Sequence, residues 1–439
     1  MNNMNESKCK CMKKSAIPAG VIGALMIAMI FMIGTAISLV MPIPIRQVMK
    51  NYNYDVLVLL IIMELFTNLI VETGIMEFLA VKLSVIAKGK KKLSMVCFGG
   101  LMFIISALLN NITAVMMILP VIFVLLKAIE IDQKYVNIFF AVILALSNTG
   151  GAASPIGDFP AVVIMTSGIT SFSGYLSHAF PLFLVTSVVL LAFWVLSLRK
   201  CKDDANSRRL AVLFLKAQYK YHQVKWDLLI AIGGIFVGMF CAWSFVPQNV
   251  IPPEIIAVLG YVFAAVVCKI KGVKVLQGIN MKSVLLIASF LFMATVVSQT
   301  GILSLLADYL KNSIQNSVLL LLLIMVITSV CAGIFSAGPA AAAMMPVMIE
   351  LCNTTFQSCS DWVAIAYAAS VCAGSSLLMS SATAGFILSE RVNHAEISDN
   401  NGKRLSWSIS NYLKYGILNY VIQMTVALTW ILAVFAFVI

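Results

Sequence analysis

The chain is a succession of long apolar runs separated by short polar loops. A helix that crosses a membrane needs about 20 predominantly apolar residues, and many of the runs approach or exceed that length. Two runs are interrupted by small and polar residues, and the apolar pattern resumes at once beyond each interruption. The candidate spans are 16–44, 54–73, 94–109, 112–128, 135–166 (interrupted), 175–197, 227–246, 252–269, 283–300, 317–335, 340–352, 361–389 (interrupted) and 411–438.

The most unusual stretch is residues 147–160, which read SNTGGAASPIGDFP inside the first interrupted run. Small residues, prolines and one carboxylate stand where a membrane helix carries leucine and valine. This pattern is typical of two half-helices that meet at an unwound turn. Non-helical backbone at membrane depth is tolerated only where protein buries it or water lines it, and paired broken helices point to a transporter's binding site.

Two pairs of runs are joined by turns too short to leave the membrane and return, namely 94–109 with 112–128 and 317–335 with 340–352. We interpret each pair as a re-entrant helical hairpin whose tip lies at membrane depth. The first tip is Asn110-Asn111-Ile112-Thr113, and the second is Ser336-Ala337-Gly338-Pro339.

Three landmarks recur in the same order in the two halves of the chain. Thr73-Gly74-Ile75 returns as Thr300-Gly301-Ile302, Pro120 returns as Pro346, and the break at 156–158 returns at 381–383. In the predicted topology the second half enters the membrane from the opposite side, which is the arrangement that supports alternating access. We therefore predict an all-α polytopic membrane protein with two inverted-topology repeats. Each repeat has a re-entrant helical hairpin and a broken transmembrane helix, giving about 11 membrane-embedded elements plus the hairpins.

These landmarks divide the chain into six parts. We predict an N-terminal tail and first transmembrane helix at 1–50, repeat 1 at 51–198, a basic cytoplasmic linker at 199–226, a connecting transmembrane pair at 227–282, repeat 2 at 283–410 and a C-terminal transmembrane helix at 411–439.

Composition and charge agree with a membrane location. Of the 439 residues, 61% are hydrophobic and 11% are charged, whereas a soluble domain carries roughly 25% charged residues. The net charge of +12 comes from basic residues in loops, as the positive-inside rule expects, and it does not indicate nucleic-acid binding. With a cytoplasmic N-terminus, only Arg46, Lys50 and Lys311 of the 30 lysines and arginines lie outside. We predict a multi-pass protein of the cell membrane with an external C-terminus.

Four polar elements lie at membrane depth, namely the two tips and the two breaks at 147–160 and 374–385. The N-termini of half-helices offer free N–H groups and a positive dipole end to an anion. Carbonyl, amide and hydroxyl oxygens suit Na⁺. Close helix packing also enriches small and hydroxyl residues, but four clusters in symmetric positions favour a binding role.

The predicted ligands of ion and substrate come from one tip and one break in each repeat. We predict Na⁺ at Asn110, Asn111, Ser147 and Asn148. The full candidate set is Asn110, Asn111, Thr113, Ser147, Asn148, Thr149, Gly151, Ser154, Gly157 and Asp158 in repeat 1, with Ser336, Gly338, Pro339, Ser375, Ser376 and Thr383 in repeat 2.

Carboxylates inside the predicted spans are few, and each is costly to bury in a membrane. Asp158 lies in a break, which favours a functional role, and Glu64 lies mid-span as a candidate proton or cation site. No lysine or arginine falls at membrane depth, so dipoles, amides, hydroxyls and a co-bound cation must hold any anion. The chain shows no P-loop, zinc-ligand spacing or nucleophile elbow. We predict neither an enzyme nor an ATP-driven pump, and no cofactor beyond Na⁺ or H⁺ as the coupling ion.

The cysteines give weaker signals. Those in apolar runs fit small apolar packing, and Cys9 with Cys11 forms a C-x-C pair more often incidental than metal-binding. Cys352 and Cys359 flank a polar loop and would form a disulfide if that loop is external.

The chain resembles the ion transporter superfamily, in particular its citrate-transporter-like branch. That branch includes arsenite permeases, the melanosomal P protein, D-type sodium/proton antiporters and divalent anion/sodium symporters. The resemblance is carried by NNITAVMMILPV at 110–121 and by NTGGAASPIGDFPAVVI at 148–164. The second stretch is similar to the group's GGxxTxIGDPPN signature, with Ser154 at the Thr, and with Phe159 and Ala161 departing from the Pro and Asn. SAGPAAAAMMPV at 336–347 and SSATAGFIL at 380–388 are degenerate counterparts in the second half.

The departures bear on the transported ion. Arsenite permeases, P proteins and the antiporters often begin the first tip with Asp-Asn, where this chain has Asn110, and Ser336-Ala337 stands at the second such position. Losing both carboxylates weakens a proton-antiport hypothesis based on them. In the anion symporters the matching tips read Ser-Asn-Thr and bind Na⁺ and a substrate carboxylate, which is nearer to this chain. The resemblance also implies a scaffold part, a moving transport part and a homodimer.

The leading hypothesis is a secondary active transporter of a small, carboxylate-like anion, coupled to Na⁺ or H⁺ and working by elevator-type alternating access. One alternative is a Na⁺/H⁺ antiporter that uses Asp158 and Glu64. Another is an arsenite or antimonite efflux permease, to which thiols at Cys331 or Cys372 would contribute. A channel or membrane-embedded receptor fits two symmetric hairpins less well. Because repeat 1 keeps its glycines and carboxylate, we expect it to dominate ion binding.

Overall fold

The structure is a computed structural model that describes residues 19–129, 131–198, 224–269, 281–399 and 402–437. Within these ranges the regular structure is helical, and a single isolated bridge pairs Ser398 with Arg404. Nearly all of the predicted basic linker at 199–226, and the C-x-C pair near the N-terminus, lie outside the described residues.

The helices fall into two matching series. Two helices come first, α1 (Ala19–Val40) and α2 (Ile45–Lys50). Repeat 1 contains α3 (Tyr54–Glu72), α4 (Ile75–Ala87), α5 (Lys91–Leu108), α6 (Asn111–Ala128), α7 (Gln133–Ala153), α8 (Phe159–Thr166) and α9 (Phe172–Ser197). Two connecting helices follow, α10 (Trp226–Phe245) and α11 (Pro253–Val267). Repeat 2 contains α12 (Met281–Gln299), α13 (Ile302–Ser313), α14 (Ser317–Phe335), α15 (Ala337–Thr354), α16 (Ser360–Ser375), α17 (Gly385–His394) and α18 (Ile409–Phe437).

The seven helices of repeat 1 correspond in order to those of repeat 2, in agreement with the predicted internal repeat. In this correspondence α18, predicted as a separate C-terminal helix at 411–439, is the counterpart of α9. The first six begin 226 or 227 residues apart in the two series. The Thr-Gly-Ile landmark marks the start of α4 and α13, where Gly74 and Gly301 take φ values of 73° and 72°. This left-handed conformation favours glycine, because it has no Cβ to clash. The short helices α4 and α13 themselves were not predicted.

Both predicted breaks are present, and both are shorter than the polar sequence suggested. α7 continues through Ala153 and α8 begins at Phe159, so only 154–158 is unwound in the first break. The second break runs from 376 to 384, between α16 and α17. The prediction was therefore wrong about 147–153, which are helical. Small residues there serve close helix packing rather than chain reversal.

The two hairpins enter from opposite halves of the membrane. The first hairpin, α5 and α6, packs along α7, whereas α8 packs against α15 of the second hairpin. Buried side chains of α7 share a core with the first hairpin, and those of α8 share a core with the second. Because α7 and α8 are consecutive halves of one broken span, the two hairpins lie on opposite sides of the break. The repeats are therefore inverted, as predicted.

A second layer of helices covers one side of this assembly. α1 packs on α12, α11 packs on α3, and α3 and α12 touch each other. Seven helices within the described ranges are long and apolar enough to span a membrane, among them α3, α9 and α18. The protein is thus a multi-pass membrane protein. Within this second layer, called the outer layer below, α3 and α12 face the hairpin tips.

The outer layer contacts the two hairpins unequally. α12 packs extensively on α15, and α3 packs on α8. By the repeat correspondence these contacts are equivalent to α3 with α6 and to α12 with α17. Neither of those equivalent pairs forms a substantial contact within the described ranges.

The described cysteines are free thiols, including Cys352 and Cys359, which are both buried.

We expect Gly150→Ala to destabilise the fold by about 1–3 kcal/mol, the usual effect of overpacking a tight core. A methyl group at Gly150 would collide with the carbonyl oxygen of Phe103 on α5, and the equivalent Gly374 faces the carbonyl oxygen of Ser329 in the same way. Thermal unfolding of the purified protein in detergent measures the effect. Gly100→Ala is the matched control, because a Cβ added at Gly100 would have no neighbouring atom within 4 Å. Equal unfolding temperatures for the two variants would contradict the packing described.

We expect an alkaline phosphatase domain fused after α18 to be active, because the positive-inside rule puts this end outside. The same domain inserted between α4 and α5, next to Lys88 and Lys90, is the control and is expected to be inactive. Activity measured in intact cells checks the orientation. An active control insertion together with an inactive terminal fusion would show that the orientation is the opposite of the one predicted.

Candidate functional site

A cavity of about 490 Å³ lies between the outer layer and the hairpin tips. One wall is formed by α3 and α12, and the opposite wall is formed by both tips and both breaks. Its volume suits a small organic molecule, because ligand pockets commonly measure about 300–1,000 Å³. The polar residues that line it are Glu64, Asn110, Thr113, Asp158, Ser336, Ser380 and Thr383.

Four of the described helices begin at this cavity, and residues from the first turn of each line it: α6, α8, α15 and α17. The first N–H groups of a helix have no partner inside the helix, and its N-terminus carries a partial positive charge. Helices that cross the membrane without a break would bring only side chains to such a cavity. Here broken helices and re-entrant hairpins bring main-chain donors to it.

Side chains cap these helix N-termini in repeat 1 but not in repeat 2. In repeat 1, the Asn110 side chain accepts a hydrogen bond from the Ile112 N–H at 2.9 Å, and Asp158 accepts one from the Phe159 N–H at 2.8 Å. In repeat 2, neither Ser336 at the start of α15 nor Ala384 at the start of α17 caps its helix through a side chain. The Ala337 and Gly385 N–H groups donate instead to the main-chain carbonyl oxygens of Ser381 and Ala382, and the N–H groups of Gly338 and Phe386 follow in the first turns without a side-chain cap.

Asp158 joins the first tip to the first break. One carboxylate oxygen accepts from the Asn111 amide nitrogen at 2.8 Å, and the other takes the Phe159 N–H. Asn111 is fully buried, and its amide oxygen has no hydrogen-bond partner. That oxygen lies against Gly151, where a Cβ would come within 2.6 Å of it. Any side chain at Gly151 would thus displace the tip.

Several predicted ligands of repeat 1 hold helices together instead of lining the cavity. The Ser147 hydroxyl accepts from Ser106 of α5 at 3.3 Å. The Thr149 hydroxyl pairs with that of Ser187 on α9 at 2.9 Å. Ser154 donates to the Ala107 carbonyl oxygen. These contacts fix the break against α5 and α9.

The second tip is bound to the second break through one main-chain carbonyl oxygen, that of Ser381. The Ser336 hydroxyl donates to the Ser381 carbonyl oxygen at 3.1 Å, and the Ala337 N–H donates to the same oxygen at 3.2 Å. Ser336 has φ of 85°, an unusual conformation for a residue with a side chain. Gly338 lies against the Phe159 ring, which a Cβ would approach to 3.1 Å. A side chain of repeat 1 therefore packs on the tip of repeat 2.

The structure divides the predicted residues into two groups. Lining the cavity are Glu64, Asn110, Thr113, Asp158, Ser336, Gly338, Pro339 and Thr383. Behind the cavity wall are Asn111, Ser147, Asn148, Thr149, Gly151, Ser154, Gly157, Ser375 and Ser376, all of them within helices or breaks. The Na⁺ set predicted at Asn110, Asn111, Ser147 and Asn148 is accordingly split between the two groups.

Sequence reasoning missed part of the wall and its support. Ser380 lines the cavity, as do the aromatic rings of Phe159, Phe335 and Phe386. Behind the wall, the Tyr175 hydroxyl donates to the Ala152 carbonyl oxygen at 2.8 Å. In repeat 2, the hydroxyl of Tyr412 donates to the Ser376 carbonyl oxygen at 2.7 Å, in the same manner. The sequence does contain one sign that the last span supports the site, because the polar residues Asn419 and Gln423 interrupt its apolar run.

The cavity has an electrostatic imbalance. Two carboxylates, Asp158 and Glu64, line it, and none of its described lining residues is a lysine, arginine or histidine. Glu64 stands on α3 of the outer layer, across the cavity from the tips. The described residues contain no cluster of three or more His, Cys, Asp or Glu side chains able to hold a metal ion. The cavity therefore offers main-chain donors to an anion and carboxylates to a cation.

Comparison with known proteins agrees with this architecture. The citrate transporter family profile matches residues 13–372. An uncharacterised transporter of Mycobacterium tuberculosis is 26% identical over 303 residues, which are 68% of each chain. The magnetosome protein MamN of Paramagnetospirillum magneticum is 22% identical over 400 residues, covering 89% of this chain and 88% of MamN. The human P protein is 28% identical over 140 residues, which are 30% of this chain and 16% of the P protein. The inverted repeats, the broken helices and this match together show that the chain is a membrane transporter and belongs to the citrate transporter family.

Proposed function

We propose that the protein is a secondary active transporter that moves a small carboxylate-like anion across the cell membrane, coupled to Na⁺ or H⁺. The observation that carries the proposal is the pair of uncapped helix N-termini of repeat 2, at α15 and α17, which meet at a cavity without basic side chains among its described lining residues. An anion bound there receives main-chain N–H groups and two positive dipole ends.

The remaining walls suit a small carboxylate. The Thr113 and Thr383 hydroxyls come from the two repeats and both line the cavity. The aromatic rings and the leucines and isoleucines of α3 and α12 supply an apolar surface for a carbon skeleton. Citrate is the first substrate to test, because it gives the family its description.

The coupling cation follows from the acidic residues. An anion in this cavity lies near Asp158 and Glu64, and two like charges a few ångströms apart repel strongly in a low-dielectric site. A bound Na⁺ or a proton removes that repulsion. Binding of the anion is then favoured only with the cation, which is the thermodynamic basis of coupling.

Elevator-type alternating access is supported by the unequal packing of the outer layer. α12 contacts α15 and α3 contacts α8, whereas the equivalent contacts with α6 and α17 are not substantial within the described ranges. In an inverted repeat the alternative state exchanges these two sets. Tips and breaks would move together past α3 and α12, because hydrogen bonds tie each tip to its own break.

A Na⁺/H⁺ antiporter remains the second candidate, because Asp158 and Glu64 line the same cavity. It predicts Na⁺ flux that alters the internal pH of vesicles without any organic anion. Arsenite or antimonite efflux gains less support, since no cysteine is among the described cavity-lining residues. Cys372 lies behind the wall, and its thiol donates to Gln423.

We expect purified protein in proteoliposomes to accumulate labelled citrate when an inward Na⁺ or H⁺ gradient is imposed. Asp158→Asn should lose the gradient dependence, because asparagine can still cap α8 but carries no charge for a cation. The matched control is Asp132→Asn, since Asp132 caps α7 through Tyr135 but lies away from the cavity. Uptake that no cation gradient affects would refute the coupling. Anion-free Na⁺/H⁺ exchange lost in Asp158→Asn would favour the antiporter.

We expect Thr113→Val and Thr383→Val to raise the KM for the transported anion about tenfold or more, because a hydrogen bond to a charged group is worth about 1.5–3 kcal/mol. Thr166→Val is the control, since the Thr166 hydroxyl bonds only within its own helix, to Val162 and Val163. Initial rates of uptake against anion concentration give KM. An unchanged KM in both cavity variants would remove these hydroxyls from the substrate site.

A further inference from the structure

Behind Asp158 lies a second, much smaller cavity of about 10 Å³. It is buried where the two broken helices cross, and its polar lining comes from both repeats: Asn148, Asp158, Tyr175, Cys372 and Ser375. A space of this size holds a single water molecule or a single small ion. It is separate from the large cavity, although Asp158 contributes to both.

The hydrogens of these groups are directed away from the small cavity. The Tyr175 hydroxyl donates to the Ala152 carbonyl oxygen at 2.8 Å, and the Ser375 hydroxyl donates to that of Cys372 at 2.7 Å. The Cys372 thiol donates to the Gln423 amide oxygen at 3.6 Å. Each of these groups has one hydrogen and has used it, so each offers only lone pairs to an occupant.

Asn148 presents its oxygen for the same reason. The Ser376 hydroxyl donates to the Cys372 carbonyl oxygen at 3.3 Å, and it accepts from the Gln423 amide nitrogen at 2.9 Å. With its only hydrogen committed, Ser376 must accept from the Asn148 amide nitrogen, at 3.2 Å. This fixes the orientation of the Asn148 amide. Its oxygen is buried and has no partner, and Asn148 is 3% exposed.

The charges around the small cavity also favour a cation as its occupant. Asp158 only accepts hydrogen bonds, from Asn111 and from the Phe159 N–H. Ala152 and Ser375, which also line this cavity, lie in the last turns of α7 and α16, so the negative ends of two helix dipoles meet here. A water molecule would find no donor and would leave the carboxylate uncompensated. A monovalent cation satisfies both requirements, whereas a divalent ion usually takes more than one carboxylate.

We propose that this small cavity is a Na⁺ site, with Asn148, Asp158, Tyr175 and Ser375 as the oxygen ligands. It differs from the sequence-based expectation of one site in each repeat, built from a tip and a break, because it is shared by the two repeats where α7 and α16 pack together. That the ion drives transport rests on the proposed function, whereas its binding does not. Since Asp158 borders both cavities, an ion here would neutralise the charge that faces the anion.

The test is thermal unfolding of the purified full-length protein, without substrate, in NaCl or KCl at constant ionic strength. Na⁺ should raise the unfolding temperature in a saturable way and K⁺ should not, because a ligand that binds only the folded state stabilises it. Ser375→Ala and Asn148→Ala should each raise the Na⁺ concentration for half-maximal stabilisation by about tenfold, as loss of one metal-site contact commonly does. Unfolding temperatures in KCl report whether each variant is folded.

Ser370→Ala is the matched control on α16, since Ser370 is equally buried and bonds only to the Ala366 carbonyl oxygen. It should keep the wild-type Na⁺ response. Equal stabilisation by Na⁺ and K⁺, a response only to pH, or an unchanged response in both Ser375→Ala and Asn148→Ala would overturn the proposal. Specific Na⁺ stabilisation without any anion uptake would uphold this site and reject the transport function. Proton-driven uptake without Na⁺ stabilisation would reject this site and uphold the transport function.

Discussion

Main-chain N–H and C=O groups freed inside a membrane must find partners, and the rest of this structure depends on that constraint. Among the described helices, four begin in the middle of the protein, and four end there, two at the hairpin tips and two at the breaks. In repeat 1, Asn110 and Asp158 satisfy the helix starts with their own side chains. In repeat 2 the starts of α15 and α17 lack such side-chain caps, and in our proposal the transported anion completes them. On that proposal the broken helices make a binding site that needs no basic side chain.

The same geometry separates the two signs of charge. Four helix N-termini and the last turn of α14 line the large cavity, whereas the C-terminal turns of α7 and α16 line the small one. In our proposal an anion and a cation are therefore each placed near favourable ends of dipoles. Asp158 stands between them and borders both. Under our two proposals the cation need not touch the anion to promote its binding, because it would act by neutralising a shared carboxylate. Hydrogen bonds from each tip to its break would let both sites move as one unit past α3 and α12.

Much of the fold could be predicted from the sequence, because glycine, proline and polar residues are rare enough in membrane helices to mark breaks and hairpins. The Thr-Gly-Ile repeat and Asp158 were visible for that reason. The direction of individual side chains was not. Ser147 and Thr149 lie in the same polar run as Asn148, yet they face α5 and α9, since helical continuation to Ala153 turns successive residues to different neighbours. The partners Tyr175 and Gln423 come from distant helices, and no local pattern connects them to the break.

The most direct measurement is a cryo-electron microscopy comparison of the protein in nanodiscs with and without saturating citrate, in Na⁺-containing buffer. We expect additional density between the first turns of α15 and α17, within hydrogen-bonding distance of their main-chain N–H groups and of Thr383. Density confined to the apolar face of α10 and α11, or helix starts unchanged with citrate bound elsewhere, would contradict the claim that broken helices hold the anion.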